Sequence, residues 1–334
     1  LSRTPEVGSA QARGAQISAR WPRAVLLGWD NLRQDCASMA AQGGADTCAS
    51  LTKGKVVVHI KELCDDALRE LPLAAHVFDP IDKGADQMFG SLWEDAVDAR
   101  VSGIIAHNEA HAALLRRKAP AKKIWIVPHH AMPRCAGSAQ GTCPPNDDEL
   151  SAIHRRQTIA VIGGEPKGSL RAQLGALVGG AGEVLYESDL CVVNRGNESL
   201  HCLCSLLARA SVAVAWDQLG GTDTSRLCQR TTGLSAAECY ALKPNERFVN
   251  PLSAGVPTVG FGAYPSFREA ANTDGRPVAA LLAEDVPQLR RRLKALLTNF
   301  TAWREARRLG LRLSARFGIR RTVARYEEVR AEVT

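Results

Sequence analysis

The 334-residue sequence lacks several features that would quickly assign it to a class of protein. No apolar run approaches the roughly 20 residues that cross a bilayer, and no low-complexity tract is present. The sequence has neither an initiator Met nor an apolar segment typical of a signal peptide, which predicts a trimmed lumenal or cytosolic portion. It has no C-x-x-C pair of the kind that binds zinc and no G-x-G-x-x-G fingerprint. These absences argue against a membrane-spanning protein, a zinc protein and a dehydrogenase.

Aromatic residues are also scarce, at 5% of the chain, although the net charge is +7. Much of the positive excess lies in residues 290–330, where Arg and Lys alternate with Leu, Ala and Val at helical spacing. This pattern favours solvated helix faces. Without interleaved aromatics or a known motif it argues against nucleic-acid binding. Attraction to anionic substrates or to a membrane surface is compatible with the charge.

Ten cysteines are a high number for a cytosolic enzyme. Three sets are close enough in sequence to close short loops: Cys36 with Cys48, Cys135 with Cys143, and Cys228 with Cys239. Asn197 and Asn299 lie in N-glycosylation sequons. The even cysteine count and the sequons favour the lumen of the secretory pathway, Golgi or ER, and predict a Cys135–Cys143 disulfide. The alternative is a cytoplasmic protein whose reduced cysteines act as small apolar side chains.

Short β-branched segments alternate with helical stretches in two successive series. The first runs through "RAVLLGW", "KVVVHI", "AAHVFD", "GIIAHN" and "KIWIVPHH", and the second through "TIAVIGGE", "EVLYESD", "ASVAVAW", "VPTVGF" and "RPVAALLAE". Alternation of this kind predicts parallel sheets with right-handed crossovers. A polar segment rich in Gly, Pro and Asn, residues 131–148, is the predicted linker.

The predicted fold class is therefore α/β, with two Rossmann-like doubly wound domains facing a central cleft. The first domain is assigned to residues 23–150 and the second to residues 151–318. An N-terminal extension, residues 1–22, precedes them, and a C-terminal helix, residues 319–334, follows. Ligands of open α/β sheets bind outside the carboxyl ends of the strands.

The segment "KPNERFVNPLSAGVPTVGF", residues 243–261, predicts a helix that ends abruptly and leads into a strand. Phe248, Val249 and Leu252 would share one apolar face of the helix. Gly255 would cap it, and Pro257 would prevent its continuation. Free N–H groups at a helix start favour phosphate. The alternative is an ordinary connection between a helix and a strand.

Two Rossmann-like halves with "KPNERFVNPLSAGVPTV" late in the second half resemble a GT-B glycosyltransferase, similar to the retaining family-4-type enzymes. The resemblance implies transfer of a sugar from a nucleotide diphosphate donor to a glycan or another hydroxyl acceptor, without a metal or other cofactor. In that family a carboxylate five residues before the Gly binds the donor ribose, and a second lies eight residues earlier. Here these positions are Asn250 and Leu242. The two replacements give weight to an alternative, a catalytically silent relative that binds a glycan or a partner protein.

The predicted donor site combines two cationic side chains with a pair of adjacent glycines. Lys243 and Arg247 are four residues apart, and on one helix face they would neutralise the diphosphate. Asn250 would hydrogen-bond a ribose hydroxyl. The pair Gly163 and Gly164, in "VIGGEPKGS", allows close backbone approach and predicts a phosphate- or substrate-binding loop, with a simple tight turn as the alternative.

Two further features belong to the predicted donor side. The resemblance places Arg268 and Glu269 near the donor sugar; the alternative is an ion pair between them at a helix start. The long polar segment before the helix, residues 215–242, is interpreted as a loop over the donor pocket, with an inert exposed insertion as the alternative.

Polar side chains follow four successive predicted strands of the first domain, where function concentrates in this class of sheet. Catalytic candidates are Asp79, Asp82, His107 and His129, and acceptor-binding candidates are His59, Glu62 and His130. If the enzyme inverts, Asp79, Asp82 or His107 would be its general base. If it retains, these residues would orient the acceptor. The alternative for any one of them is a loop or capping residue. A missing N-terminal anchor would account for membrane association.

Overall fold

The computed structural model describes residues 11–25, 53–60, 63–81, 95–131, 145–163, 169–178, 182–187, 197–216, 228–229, 233–273 and 276–334. Some predicted features lie outside the described residues and stay predictions: Glu62, Asp82, Gly164, most of the "RAVLLGW" strand, and the pairs Cys36–Cys48 and Cys135–Cys143.

Strands and helices alternate along most of the chain. The strands are β1 (Val56–Ile60), β2 (Ala75–Asp79), β3 (Val101–Ala106), β4 (Lys123–Ile126), β5 (Ile159–Ile162), β6 (Val184–Tyr186), β7 (Val212–Ala215), β8 (Thr258–Phe261), β9 (Asn272–Thr273), β10 (Arg276–Pro277) and β11 (Leu282–Ala283). The helices are α1 (Gln16–Ser18), α2 (Asp65–Glu70), α3 (Glu109–Lys118), α4 (Asp147–Arg155), α5 (Ser169–Gly175), α6 (Asn197–Arg209), α7 (Ala236–Ala241), α8 (Glu246–Ser253), α9 (Pro265–Ala270), α10 (Val286–Thr298), α11 (Phe300–Ser314) and α12 (Ile319–Val333). Among the described residues, no helix combines the length and the apolar character that crossing a bilayer requires.

The chain divides into two compact units. The first comprises residues 1–129, 227–244 and 319–334, and the second comprises residues 130–226 and 245–318. The first unit contains a parallel sheet of four described strands in the order β1-β2-β3-β4. The strands predicted from "KVVVHI" to "KIWIVPHH" are therefore confirmed as a parallel sheet.

Both faces of the first sheet are covered. Successive residues of a strand face opposite sides of a sheet, and here Phe78 and Ile104 pack into the cluster that contains residues of α3. Val77 and Ile105 pack on the other side with Ile17 near the N-terminus and Tyr326 of α12. The chain's first and last described helices therefore belong to the layer that covers one face of this sheet.

The segment that precedes α8 in sequence is part of the first unit. Cys228 and Cys239, one of the three sets that are close enough in sequence to close a short loop, form a disulfide. Both cysteines are buried in the cluster that contains Leu114 and Leu115 of α3. The Nδ2 of Asn108, which caps α3, donates a 2.9 Å hydrogen bond to the carbonyl of Ala241. Cys228 and the segment that contains α7 are thus packed against α3, whereas Ala215, the first residue of the predicted 215–242 loop, ends β7 in the second unit.

The second unit contains a parallel sheet of five strands in the order β11-β8-β7-β5-β6. Strand β5 lies between β6 and β7, so the strand order reverses at β5, as in a doubly wound sheet. One predicted strand is wrong in detail: "RPVAALLAE" contains the two short strands β10 and β11 with a 3₁₀ turn between them, residues Ala279–Leu281.

The predicted connection between α8 and β8 is confirmed. Phe248, Val249 and Leu252 are buried along α8. The helix ends in a Schellman motif: the N–H of Gly255 bonds the carbonyl of Leu252 at 3.0 Å, and the N–H of Val256 bonds that of Pro251 at 2.9 Å. Gly255 has a φ of +76°, a conformation that glycine adopts without a Cβ penalty.

The expectation that Lys243 and Arg247 share a face of α8 is wrong. Helix α8 begins at Glu246, three residues after Lys243. Lys243 directly precedes Pro244, and a residue before proline is disfavoured in the helical region. The N–H of Lys243 instead bonds the carbonyl of Tyr240 at 3.2 Å, in the turn that follows α7.

Candidate functional site

The carboxyl ends of β5 and β6 meet at a glycine and a carboxylate. Val161 pairs with Tyr186, so Gly163 and Glu187 both follow directly at the edge of the sheet. The N–H of Gly163 donates a 2.7 Å hydrogen bond to Oε2 of Glu187. Gly163 has a φ of +108°, a backbone conformation that residues other than glycine rarely adopt. The backbone at this strand end is therefore held in one conformation by a carboxylate.

Arg247 lies against this glycine. A Cβ placed on Gly163 would come within 3.0 Å of Nη1 and 3.2 Å of Cδ of Arg247. Arg247 is the second residue of α8, so its guanidinium reaches from the start of that helix to the carboxyl end of β5. A guanidinium has a planar set of donors that matches phosphate and carboxylate oxygens. Glycine at position 163 leaves the space that this side chain occupies.

The charges of Arg247 and Glu187 are coupled. Burial raises the pKa of Glu187, and the hydrogen bond from Gly163 and the positive charge of Arg247 oppose that rise. The edge of the sheet thus presents a cation, a carboxylate and a glycine backbone within contact distance, next to the point where the strand order reverses. Such an arrangement suits a ligand that carries both an anionic group and hydroxyl groups.

Glu187 is a residue that the sequence interpretation missed. It follows the strand after the glycine turn and lies 24 residues beyond Gly163. In dinucleotide-binding units an acidic residue about 20 residues after the glycines bonds a ribose hydroxyl. This spacing was the signal that could have identified it.

Three other donor-side candidates, Asn250, Arg268 and Glu269, belong to the second unit, whereas Lys243 belongs to the first. Asn250 is buried in α8. Arg268 donates to both carboxylate oxygens of Glu284 at 3.1 Å, so the helix-start pair of Arg268 with Glu269 is wrong. The carbonyl of Glu269 accepts a 3.1 Å hydrogen bond from Arg316. Leu242, at the position of the second family carboxylate, is a core residue of the first unit.

Asp79, a predicted catalytic residue of the first unit, is buried and held by two side-chain hydrogen bonds. It ends β2, is 0% exposed, and accepts a 3.0 Å bond from Nε of Arg13 and a 2.6 Å bond from the hydroxyl of Tyr326 on one oxygen, Oδ2. Arg13 also donates to the carbonyls of Val127 at 2.5 Å and Pro128 at 2.8 Å. The carboxylate therefore joins the N-terminal segment, β2 and α12 around one buried ion pair.

His107 lies beside this ion pair. Its Nε2 is 3.9 Å from Oδ1 of Asp79, and its ring is 5.0 Å from that of His111. Burial, with the charges of His111, Arg13 and His129 adding to it, holds the pKa of His107 well below its ordinary value. Burial also lowers the pKa of His111 to about 4. Two of the predicted catalytic residues, Asp79 and His107, are thus brought together, with neutral imidazoles beside a charged pair.

His59 belongs to a separate buried chain of hydrogen bonds. Its Nε2 lies 2.9 Å from Nδ1 of His76, and Nε2 of His76 lies 3.0 Å from the carbonyl of Leu71, so each Nε2–H donates. The N–H of Cys64 donates to Nδ1 of His59 at 3.3 Å. Burial lowers the pKa of His59 well below its ordinary value and also lowers that of His76. Both ring nitrogens of His59 are therefore engaged in hydrogen bonds within the first unit.

The two histidines after β4 fall in different units. His129 is buried in the first unit, and its charge acts on His107. His130 is buried in the second unit. Sequence reasoning missed Arg13, His76, His111 and Tyr326.

No family model matches the sequence, and no curated protein matches it significantly. Solved structures do match. TarM has a TM-score of 0.50 at 11% identity, over 85% of this chain and 57% of its own. The pneumococcal O-GlcNAc transferase GtfA, in complex with UDP and GlcNAc, has a TM-score of 0.45 at 12% identity, over 84% of this chain and 57% of its own. HepE from Anabaena, in complex with UDP and glucose, has a TM-score of 0.48 at 10% identity, over 83% of this chain and 78% of its own.

This chain therefore spans little more than half the length of TarM and GtfA. TarM and GtfA are GT-B glycosyltransferases. The likeness to TarM, together with the two parallel sheets, shows that this chain has the GT-B fold, as the resemblance in the segment 243–259 predicted.

Proposed function

We propose that this chain is a glycosyltransferase that transfers a sugar from a nucleotide diphosphate donor to a glycan or another hydroxyl acceptor. The observation that carries the proposal is the contact of Arg247 with Gly163 beside Glu187, at the carboxyl edge of a doubly wound sheet. Ligands of open α/β sheets bind at this edge, where the strand order reverses. The GT-B fold supports the same assignment.

In this proposal Arg247 stabilises the negative charge that develops on the nucleotide diphosphate as the bond to the sugar breaks. The glycine backbone allows the phosphates to approach the strand end closely. Glu187 accepts a hydrogen bond from a ribose hydroxyl, the role that an acidic residue has at the corresponding strand end of dinucleotide sites. Lys243, Asn250 and Glu269 remain proposed donor contacts.

The proposed roles in the first unit differ from residue to residue. A carboxylate that is buried and ion-paired is poorly placed to take a proton from an acceptor hydroxyl, so we assign Asp79 to holding the unit together. His59 has the same kind of role through His76. His129 and His130 remain proposed acceptor-side residues. The stereochemistry depends on the face of the anomeric carbon that the acceptor hydroxyl attacks, and an inverting attack uses a general base for the hydroxyl proton.

Replacing Arg247 by Ala should weaken binding of nucleotide diphosphates about tenfold or more. A charge-assisted hydrogen bond contributes about 1.5–3 kcal/mol, and 1.4 kcal/mol corresponds to a tenfold change. Arg247→Lys should recover only part of the loss, because an ammonium cannot form the same planar contact. Calorimetric titration with UDP, GDP, ADP and CMP would measure the effect and identify the nucleotide.

The matched control is Arg304→Ala. It removes an arginine from the same unit, but one that pairs with Asp147 on the surface. Gly163→Ala provides a second variant, since the added Cβ would displace the Arg247 side chain without removing its charge. Equal nucleotide affinity of the parent, Arg247→Ala and Gly163→Ala would show that this edge is not the donor site. Nucleotide binding without release of sugar from any donor would favour the catalytically silent alternative.

We also propose that the protein belongs to the lumen of the secretory pathway. The Cys228–Cys239 disulfide supports this, and Cys202 and Cys204 are also disulfide-bonded. Asn299 is exposed; its Oδ1 accepts a 3.0 Å bond from the N–H of Ala302 at the start of α11, so Nδ2 stays available for a glycan.

Peptide mapping of natively produced protein without reduction should find Cys228 linked to Cys239. Treatment with a glycan-removing amidase should convert Asn299 to Asp, because only a glycosylated Asn is changed in this way. The predicted Cys135–Cys143 link would be read from the same map. Ten free thiols together with an unmodified Asn299 would contradict the lumenal proposal.

A further inference from the structure

The positive charge of the chain is concentrated in α10, α11 and the 3₁₀ turn, residues Ala315–Phe317, that follows them. Residues 286–318 contain nine Lys and Arg and one Glu, whereas the whole chain has a net charge of +7. The rest of the sequence is therefore almost balanced. A single-sign field of this density on two neighbouring helices attracts anionic partners.

A groove lies between these helices in the second unit. Its cavity volume is about 850 Å³, within the range of about 300–1,000 Å³ that is typical of small-molecule sites. Its apolar part is formed by Ala295 and Leu296 of α10 and by Ala306 and Leu309 of α11. The groove is thus large enough and apolar enough to hold a hydrocarbon chain.

Three arginines line the same groove. Arg308 and Arg312 are four residues apart on α11, and Arg292 is four residues before Leu296 on α10, so charged and apolar residues share the facing sides of both helices. Within the part of the chain that the structure describes, none of the three arginines forms an ion pair. Glu305 is the one acidic residue in the lining. The groove therefore combines an apolar floor with a cationic rim.

We propose that this groove binds an anionic phospholipid at a membrane surface. The headgroup phosphate contacts the guanidinium groups of Arg292, Arg308 and Arg312, which match phosphate oxygens. The acyl chain lies along the Ala and Leu side chains. A free phosphate or a nucleic acid would use the rim but would leave the apolar floor exposed, whereas a lipid uses both. This inference is independent of the proposed glycosyl transfer.

The test is sedimentation of the full chain with vesicles, without nucleotide. Vesicles of phosphatidylcholine alone are compared with vesicles that contain phosphatidylglycerol. The triple variant R292Q/R308Q/R312Q should lose about 100-fold in partition coefficient, since each basic residue near an anionic surface contributes about a fivefold change. The control R116Q/R320Q/R321Q removes the same charge from exposed sites of the first unit and should lose no more than about threefold.

Leu309→Asn tests the floor without changing charge, and it should weaken partitioning into both kinds of vesicle. Where the triple variant does not fold, the single variant R308Q, with an expected loss of about fivefold, decides the question. Equal losses in the two triple variants, an unaffected Leu309→Asn variant, or no sedimentation with phosphatidylglycerol would each overturn the proposal. Preferential binding of duplex DNA over the anionic vesicles would overturn it as well.

Discussion

Replacing Asp79 by Asn is expected to lower the free energy of unfolding by about 3–5 kcal/mol, the usual cost of removing one partner from a buried ion pair. The reason is the environment of Arg13, whose guanidinium is buried and whose counter-charge is Asp79. The hydroxyl of Tyr326 would lose its charged acceptor at the same time. Urea unfolding followed by circular dichroism at pH 7.5 measures the change.

The matched control for this variant is Glu328→Gln. Glu328 also pairs with an arginine, Arg325, but both side chains are exposed, and such pairs contribute at most about 1 kcal/mol. A triple variant, Arg13→Met, Asp79→Leu and Tyr326→Phe, should recover much of the stability, because apolar replacement of a whole buried network is often neutral. An Asp79→Asn variant as stable as the parent but without activity would instead support the predicted catalytic role of Asp79.

Lowering the pH from 7 to about 4 should destabilise the first unit by about 3 kcal/mol through His111 alone. The pKa of His111 falls from 6.5 to about 4 on burial, and each pKa unit corresponds to about 1.36 kcal/mol. The unfolded chain takes up the proton first, so this stability is complete above pH 6.5 and is lost progressively as the pH falls towards 4. His59, His76 and His107 shift in the same direction and add to the loss.

Unfolding free energies at a series of pH values would give this slope. His111→Gln should make it shallower, since glutamine keeps an acceptor for the N–H of His107 but does not titrate. Burial is the main cause of the lowered pKa values, so the slope should persist in 0.5 M NaCl, unlike one that depends on surface charge pairs. A slope that is the same in the parent and in His111→Gln would show that His111 titrates as an exposed histidine.

Local pattern predicted much of the fold. In the α8 segment the apolar face, the glycine cap and the following proline lie close together in sequence. Each of them has the predicted position in the structure. The parallel strands followed from β-branched runs of the right length. The order of strands in the second sheet could not be predicted from local pattern, because no short sequence pattern indicates that β5 lies between β6 and β7.

The sites were predicted less completely, for two physical reasons. The partners of Asp79 are 66 and 247 residues away, at Arg13 and Tyr326, and no short-range pattern marks such a contact. Lys243 lies outside α8 because Pro244 separates it from the helix, an effect that helical spacing alone does not predict. Glu187, in contrast, was within reach of sequence reasoning, since its position after the second strand of the unit is itself a signal.

The discontinuity of the first unit has a consequence for synthesis on the ribosome. Residues 130–226 and 245–318, which form the second unit, are synthesised before residues 319–334 emerge. In the first unit, α12 covers one face of the sheet only after these last residues have been made. Until then Val77 and Ile105 lack the apolar layer that Tyr326 and Val329 provide. The first-made half of the chain is therefore the last to bury both faces of its sheet, and apolar surface left exposed during translation is the kind of surface that chaperones bind.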